Sequence, residues 1–553
     1  MKLKFIIYSI LTFTCLLIIT FFPAFAQSTL ESSYLPIVII DTKNKTIVDE
    51  PKVQVKMGII NNGPGKRNRT NDPFNDYHGP AGIEIRGSSS QMFPKKSFGF
   101  EIWDINGVDS TASILGMPEE EDWILYAPYT DKSLLRNSLS FKIANEMGNY
   151  ASRTRFCELI INDQYQGIYV MMEKVKRDKN RVALNKLNPD EVSGENVTGG
   201  YIIKIDKTTG VNSGEGWLSP YAPPHAKKQQ KVFFQYEYPK VSAIVQEQKN
   251  YIQKYVTDFE EVLAGPDFSD EENGYRTYID INSFIDYAIL NELNRNIDGY
   301  RLSTFLYKDK NKKLFLGPVW DFNLAFGNAD YCRGSDIEGW AWDFNAICSE
   351  DGFQIPFWWR RFLEDESFVA AFIDRWESLR QNSLETSRIL NYIDSMAFVL
   401  DESQKRNFQK WPVLGKYIWP NNFIGQTYQE EINYLKNWIT SRTSWIDENI
   451  HNIFRVTAQD PEISNSKPVL EFYPNPFNNQ ANILVKLPAG VTGQLSILDL
   501  LGRQVYYSSI DDSTSNTTWD GIDSYGHTAP PGIYLVKLTG PGNFQEVKKI
   551  IKH

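Results

Sequence analysis

Along most of the chain, apolar residues recur at helical spacing or at alternate positions, and the changes between these two patterns mark out its segments. DINSFIDYAILNEL sets Ile281, Ile285, Ile289 and Leu293 on one face behind Asp280, which predicts an N-capped helix. A polar loop holding Asp298 follows. LSTFLY and KLFLG, joined by the turn-rich KDKNK, then predict a β-hairpin that delivers Asp321 in the run Trp320-Asp321-Phe322-Asn323. Upstream, LPIVIIDT and TIVDEPKVQVKMGII read as sheet, and residues 79–104 as a strand, a small-residue loop and a second strand. DKSLLRNSLSFKIANEMG carries Leu135, Leu139, Ile143 and Met147 on one stripe, capped by Asp131 and stopped at Gly148. FCELIINDQYQGIYVMMEKV predicts a hairpin turning at Asp163-Gln164, and GGYIIKID a further strand of the same lobe.

Residues 207–240 are polar and Pro-rich and read as an insertion crossing a cleft. Helical spacing resumes from Ile244 to Leu263, and again over 353–450, where Phe368, Phe372, Trp376 and Leu379 form a stripe that reads as core. Residues 456–468 form a linker. Beyond it, ANILVKL, GQLSILDL, QVYYSS and GIYLVKL alternate between turns of Gly, Asn and Asp, the pattern of a small all-β sandwich. The fold class expected is α+β, with a larger domain over 27–455 and a small β domain over 469–553.

A chain of 553 residues exceeds a single core. Its first 26 residues combine Lys2 and Lys4, an apolar run and Ala24-Phe25-Ala26, the pattern of a cleaved signal peptide. No later stretch is apolar enough for a permanent transmembrane anchor. The net charge of −10 and the lack of a basic stretch interleaved with aromatics argue against nucleic acid as a partner. Five histidines without HExxH spacing argue against a histidine-ligated zinc hydrolase. Cys332 and Cys348 lie 16 apart and could close a disulfide in an oxidising compartment; Cys157 is left as a buried thiol.

Two carboxylates at either end of a hairpin after a buried helix suit a two-role site, one accepting a proton and one binding a cation. Either aspartate alone could equally be a cap or a turn residue. Asn296 and Asn323 add neutral oxygens, a set that favours Mg²⁺ or Mn²⁺. Upstream, Gly87-Ser88-Ser89-Ser90 offers backbone N–H groups and hydroxyls that suit phosphate oxygens, with Lys96 behind as a point charge. A plain hairpin with solvated lysines is the competing reading.

The blocks IEIRGSSSQMFPKKSFGFE, DKSLLRNSLSFKIANEMG, GIYVMMEKV, GGYIIKID and NRNIDGYRLSTFLYKD…GPVWDFNLAFGN, in this order, resemble the CotH (spore coat protein H) family of atypical secreted kinases. The resemblance spans about residues 35–450. It implies a reduced two-lobed, protein-kinase-like fold that moves the ATP γ-phosphoryl group onto Ser/Thr-rich protein acceptors with a divalent metal. By matched position, Asp298 is implied as the catalytic aspartate, Asp321 as the metal ligand and Lys96 as the nucleotide-binding lysine. Ser88 and Ser89 would sit near the phosphates, and either Glu146 or Glu173 would partner Lys96. Ser303 stands where kinases generally carry a metal-binding Asn, and Asn323 where many family members have a second acid. The alternative is therefore a weak or inactive kinase-like surface binding or scaffold protein, associated with glycans through its Trp-rich half. The tail resembles a type A sorting domain of the type IX secretion system through YPNPF, LGRQV, Trp519-Asp520-Gly521, PPGIYLVKL and KKIIK, over an Ig-like sandwich. That implies the type IX machinery as a partner and delivery to the outer cell surface or the medium.

Overall fold

The computed structural model describes residues 30–208, 214–227, 230–453, 469–486, 493–510, 514–523, 526–539 and 545–553. The expected signal peptide and the whole of the linker lie outside these residues. The chain divides into two compact units: one holds most of the chain up to Glu448, the other Phe362–Ala370 and everything from Asn449.

In the first unit, seven strands close a barrel: β1 (Ile37–Asp41), β2 (Val53–Ile60), β3 (Tyr77–Arg86), β4 (Ser97–Ile102), β5 (Asp122–Tyr126), β6 (Thr154–Ile161) and β7 (Gln164–Glu173). The order is β1-β2-β3-β4-β5-β7-β6, and the parallel pairing of Ile37–Ile40 with Glu158–Ile161 completes the ring. Alternating residues such as Val55, Met57, Ile59, Ile83, Phe100, Trp123 and Leu159 fill it. Closure leaves no free sheet edge in this ring. α1 (Arg136–Glu146) is inserted between β5 and β6. The turn between β6 and β7 is Asn162-Asp163, both at positive φ, one residue earlier than the expected position.

A second sheet holds β8 (Tyr201–Ile205), β9 (Gly216–Leu218), β10 (Phe233–Tyr238), β11 (Thr304–Lys308) and β12 (Leu314–Leu316), in the antiparallel order β9-β10-β8-β11-β12. Two expectations change here. GGYIIKID does not extend the first lobe, because β8 pairs with the hairpin strand β11 on one side and β10 on the other. The supposed insertion over 207–240 contributes two of the five strands, since FFQYEY pairs with β8 from Ile202 to Ile205 on one side and with β9 on the other.

Helices α2 (Gln246–Ala264), α3 (Ile281–Asn294), α4 (Trp358–Leu363), α5 (Glu366–Arg380), α6 (Thr386–Lys410) and α7 (Tyr428–Asn449) complete the architecture. Asp280 caps α3 as its sequence implies, accepting from Ser283 N at 2.9 Å. α6 lies on the barrel: Asn407 Oδ1 accepts from Ile168 N and from the buried Lys95 Nζ, and Trp411 Nε1 donates to Gln166 O. Only glycine fits at 167, where φ is +95° and a Cβ would come within 2.6 Å of the Asn407 oxygen. Cys332 and Cys348 form the expected disulfide, and Cys157 is a buried free thiol.

In the second unit, β13 (Val469–Tyr473), β14 (Ala481–Lys486) and β17 (Thr514–Trp519) make one antiparallel sheet, ordered β13-β14-β17. β15 (Gly493–Leu498), β16 (Gln504–Ile510), β18 (Gly532–Thr539) and β19 (Gln545–Lys552) make another, ordered β16-β15-β18-β19. Leu470, Ile483 and Trp519 from the first share a core with Leu495, Val536 and Ile550 from the second. The region is all-β, as its alternating pattern requires.

Candidate active site

The end of α3 starts the site. Arg295, its C-cap, is left-handed at φ 42°, and its guanidinium donates to Arg333 O and Gly339 O in the disulfide-closed loop. The next turn carries Asp298, and the segment after β12 carries Asp321. Asn296, fully buried, joins the two: its Oδ1 accepts from Asp298 N at 3.3 Å and its Nδ2 donates to Asp321 O at 3.4 Å. Tyr300, Ser303, Asp321 and Phe326 all have φ between 47° and 69°. Non-glycine residues rarely adopt that conformation, and clusters of them mark sites held in place by their surroundings.

What holds the Asp321 loop is the start of α1. Asn137 Oδ1 accepts from Phe322 N at 2.6 Å, and the Arg136 guanidinium donates to Ala325 O and Phe326 O. Arg136 is itself buried against Asp131, at 2.6 Å, and Asp131 also accepts from the Arg136 backbone N. Phe141, one turn further on, stacks on Trp320 and meets Phe322 edge-on.

These segments and the barrel enclose a cleft of about 680 Å³ within the first unit. Its lining includes Arg86 to Ser90 from the end of β3, Lys174 after β7, Asp206 after β8, Glu237 on β10, and Asp298, Ser303, Asp321 and Asn323. Met172, Val175, Phe305 and Trp320 give it an apolar portion. Burial pushes the Asp321 carboxyl up to about 7, with the charges of Asp298 and Asp206 acting the same way and Arg86 and Lys207 opposing. Asp298 is also raised, chiefly by burial, although Arg301 opposes the shift. Arg301 holds that carboxylate: its guanidinium donates to Asp298 Oδ1 at 2.9 Å, to Asp351 Oδ1 and Phe353 O at 3.1 Å, and to Ile297 O at 2.7 Å.

Asp298, Asp321, Asn323, Ser88 and Ser89 all face this cleft. Asn296 does not join its lining; both ends of its amide are spent on the backbone of the two aspartates. Lys96 is also absent from the lining, and its Nζ donates to Gln91 O at 2.5 Å, which braces the serine loop. Neither glutamate reaches Lys96. Glu146 pairs with Lys142 and Arg388 on the outer side of α1, because its helical position turns it away from the cleft. Glu173, fully buried, is taken up by Arg153 and Arg181. Among the described residues, the acidic trio within 4.8 Å is Glu120, Glu121 and Asp122, and Lys174 and Lys176 already neutralise it.

The family model described as CotH kinase protein matches residues 83–446, two-thirds of the chain. This chain belongs to that family. Inner spore coat protein H of Bacillus subtilis (strain 168) is 23% identical over 358 residues, covering 61% of this chain and 83% of the relative. A second family model, the secretion system C-terminal sorting domain, matches residues 471–553. The CotH chain thus ends in a type IX sorting domain and is a secreted or surface-delivered protein. No helix among its described residues is long and apolar enough to cross a membrane. Among solved structures, dimeric latent PorU from Porphyromonas gingivalis is similar at 23% identity and a TM-score of 0.14, over 15% of this chain and 9% of PorU. PorZ, a surface component of the type-IX secretion system of the same organism, is similar at 20% and 0.13, over 15% and 11%. The chain spans only a small part of either, and likeness at that level carries no argument.

Sequence reasoning missed Arg86, Asp206, Glu237 and Arg301 in the CotH cleft. Asp206 had a usable signal: it ends the apolar run YIIKI much as Asp321 follows GPVW. Arg301 lies three residues after Asp298, but nothing in the spacing says that its side chain turns back.

Proposed function

We propose that the CotH domain is a metal-dependent atypical Ser/Thr protein kinase, transferring the ATP γ-phosphoryl group to hydroxyls of exported or surface proteins. The observation that carries this reading is the convergence of Asp298 and Asp321 in one cleft, tied by Asn296, with the Asp298 charge helping to raise the Asp321 carboxyl. Asp298 accepts the acceptor hydroxyl's proton; Arg301 fixes its rotamer and favours its ionised form. The donor set fits a hard divalent cation such as Mg²⁺ or Mn²⁺. The Asp321 carboxylate has no hydrogen bond from any described protein group, and Asn323 and Ser303 line the same cleft with neutral oxygens. When bound, such a cation neutralises phosphate charge. Met172, Val175, Phe305 and Trp320 offer apolar surface for a nucleobase in the cleft that Ser88 and Ser89 also line.

The test is transfer of label from γ-labelled ATP to a Ser-rich peptide, or to the protein itself, by the full chain with Mg²⁺ or Mn²⁺. Incorporation that disappears in Asp298→Asn supports the kinase reading. Tight metal-dependent ATP binding without transfer to any acceptor would favour a kinase-like binding protein instead.

A further inference from the structure

We propose that Arg86, and not the lysine that opens the following strand, is the side chain that receives the polyphosphate in this cleft. The inference rests on the nucleotide reading above and assigns its anion subsite.

Arg86 is the last residue of β3 and lines the cleft beside Gly87. Most other cations there are already engaged. Lys95 donates to Ile168 O and Asn407, Lys174 to Asp122, and Arg301 to Asp298 and Asp351; Lys204 has carboxylates of Asp206 and Glu237 at 3.5 and 3.6 Å. Among the described residues, the Arg86 guanidinium has no hydrogen bond or ion pair. Lys207 shares that property, but it precedes residues outside the described set and stands on the strand end, not beside the serine loop.

Arg86 is held instead by Trp320, whose ring centroid lies 5.6 Å from its guanidinium carbon. A cation over an indole face keeps its orientation while leaving its N–H edge free. Its charge is felt at Asp321, the residue beside Trp320 in sequence. The carboxylates of Asp321, Glu84 and Glu237 act on this guanidinium only through space, and burial still outweighs them; an anion entering into direct contact offsets that desolvation cost. Planar N–H pairs suit phosphate oxygens in bidentate fashion. Gly87 makes room for the anion to approach. Its φ is +104°, and a Cβ there would lie 2.0 Å from Ser90 Oγ, so the chain turns sharply away from the end of β3 only because position 87 is glycine.

The experiment compares the full chain with Arg86→Gln and Arg86→Lys by isothermal titration against Mg·ATP, adenosine and inorganic tripolyphosphate. Melting curves check folding. Loss of a charged hydrogen-bond donor predicts Mg·ATP and tripolyphosphate binding weakened roughly 10- to 100-fold in Arg86→Gln. Adenosine binding should be unchanged, and Arg86→Lys should retain part of the phosphate affinity. If Arg86→Gln fails to fold, Arg86→Lys alone decides, because loss of the bidentate geometry should still cost several-fold for both phosphate ligands and nothing for adenosine. Equal Mg·ATP affinity in folded variants and parent overturns the assignment and leaves the kinase reading intact. Arg86-dependent tripolyphosphate binding without ATP binding would sink the nucleotide reading and keep the anion subsite. Binding of neither phosphate ligand by the parent overturns both.

Discussion

Replacing Asp321 by Asn should stabilise the protein in the absence of metal while abolishing its response to Mg·ATP. In the folded chain this carboxyl titrates at about 7 and not at its ordinary 3.8, first because it is buried and then because Asp298 and Asp206 repel its charge. A rise of that size corresponds to about 4 kcal/mol at most. Part of the repulsion is shared with Asp298, so removing one charge should relieve about 1–3 kcal/mol. The folded value lies above the unfolded one, so between pH 4 and 7 the native state keeps a proton that the unfolded chain has lost. The stability tied to that proton is complete below pH 4 and gone above pH 7. The amide never ionises, so the gap between Asp321→Asn and the parent should open from pH 5 upward and be full by pH 8. There it should appear as a melting temperature higher by about 1–3 °C. Adding Mg·ATP should raise the parent's melting temperature and leave the variant's unchanged. Scanning fluorimetry from pH 5 to 8, with and without Mg·ATP, measures both effects. A variant no more stable than the parent at pH 8, or one that Mg·ATP still stabilises, would refute the reasoning.

Asp298→Asn should cut phosphoryl transfer by about 10²–10⁴-fold while Mg·ATP affinity changes little, measured by label transfer beside calorimetry; undiminished transfer would make Asp298 structural. Arg136→Leu leaves Asp131 buried without its partner and frees the carbonyls of Ala325 and Phe326, so it should cost about 3–5 kcal/mol in urea unfolding. A cost below about 1 kcal/mol would show that the pair does not anchor the loop. Glu260, buried and accepting hydrogen bonds from Ser219 and Trp358, is raised to about 7, so Glu260→Gln should gain stability relative to the parent as pH rises from 5 to 8; a gap that stays flat with pH would remove Glu260 as its source. Deleting residues 471–553 should keep the protein from the cell surface and medium in its native host, read by fractionation; unchanged delivery would show that another segment carries the address.

How much of this was legible in the sequence depended on whether a pattern was local. α3, its Asp280 cap and the hairpin that follows were readable because period and capping are settled within a few residues. The disulfide could be anticipated from two cysteines in one loop. Barrel closure could not, since it rests on β1 meeting β6 across more than a hundred residues, and alternation within a strand says nothing about its partner. The same limit hid the move of GGYIIKID to the second sheet and, with it, the arrival of Asp206 beside Asp321. For the lysine pair, sequence identified the right hairpin but not which cation in it is left without a partner. Lys95 and Lys96 are both spent on oxygens of the scaffold, while Arg86, across the loop, is left open.

The site also explains why so much buried polar structure surrounds it. Two carboxylates in one cleft repel, and a left-handed Asp321 costs about 1–3 kcal/mol of backbone strain before any ligand arrives. Left to itself, the loop would relax by moving Asp321 away from Asp298. Three contacts oppose that movement: Asn296 joins the two aspartates' backbones, Asn137 holds Phe322 N, and Arg136 holds Ala325 O and Phe326 O. Each depends on a buried polar side chain, which a chain selected for stability alone would exchange for packing. Their joint effect is to hold the two carboxylates in one cleft despite their repulsion. The Asn-Arg-Asn pattern around the two aspartates therefore belongs to the site as much as the aspartates do, although none of the three side chains need touch a ligand.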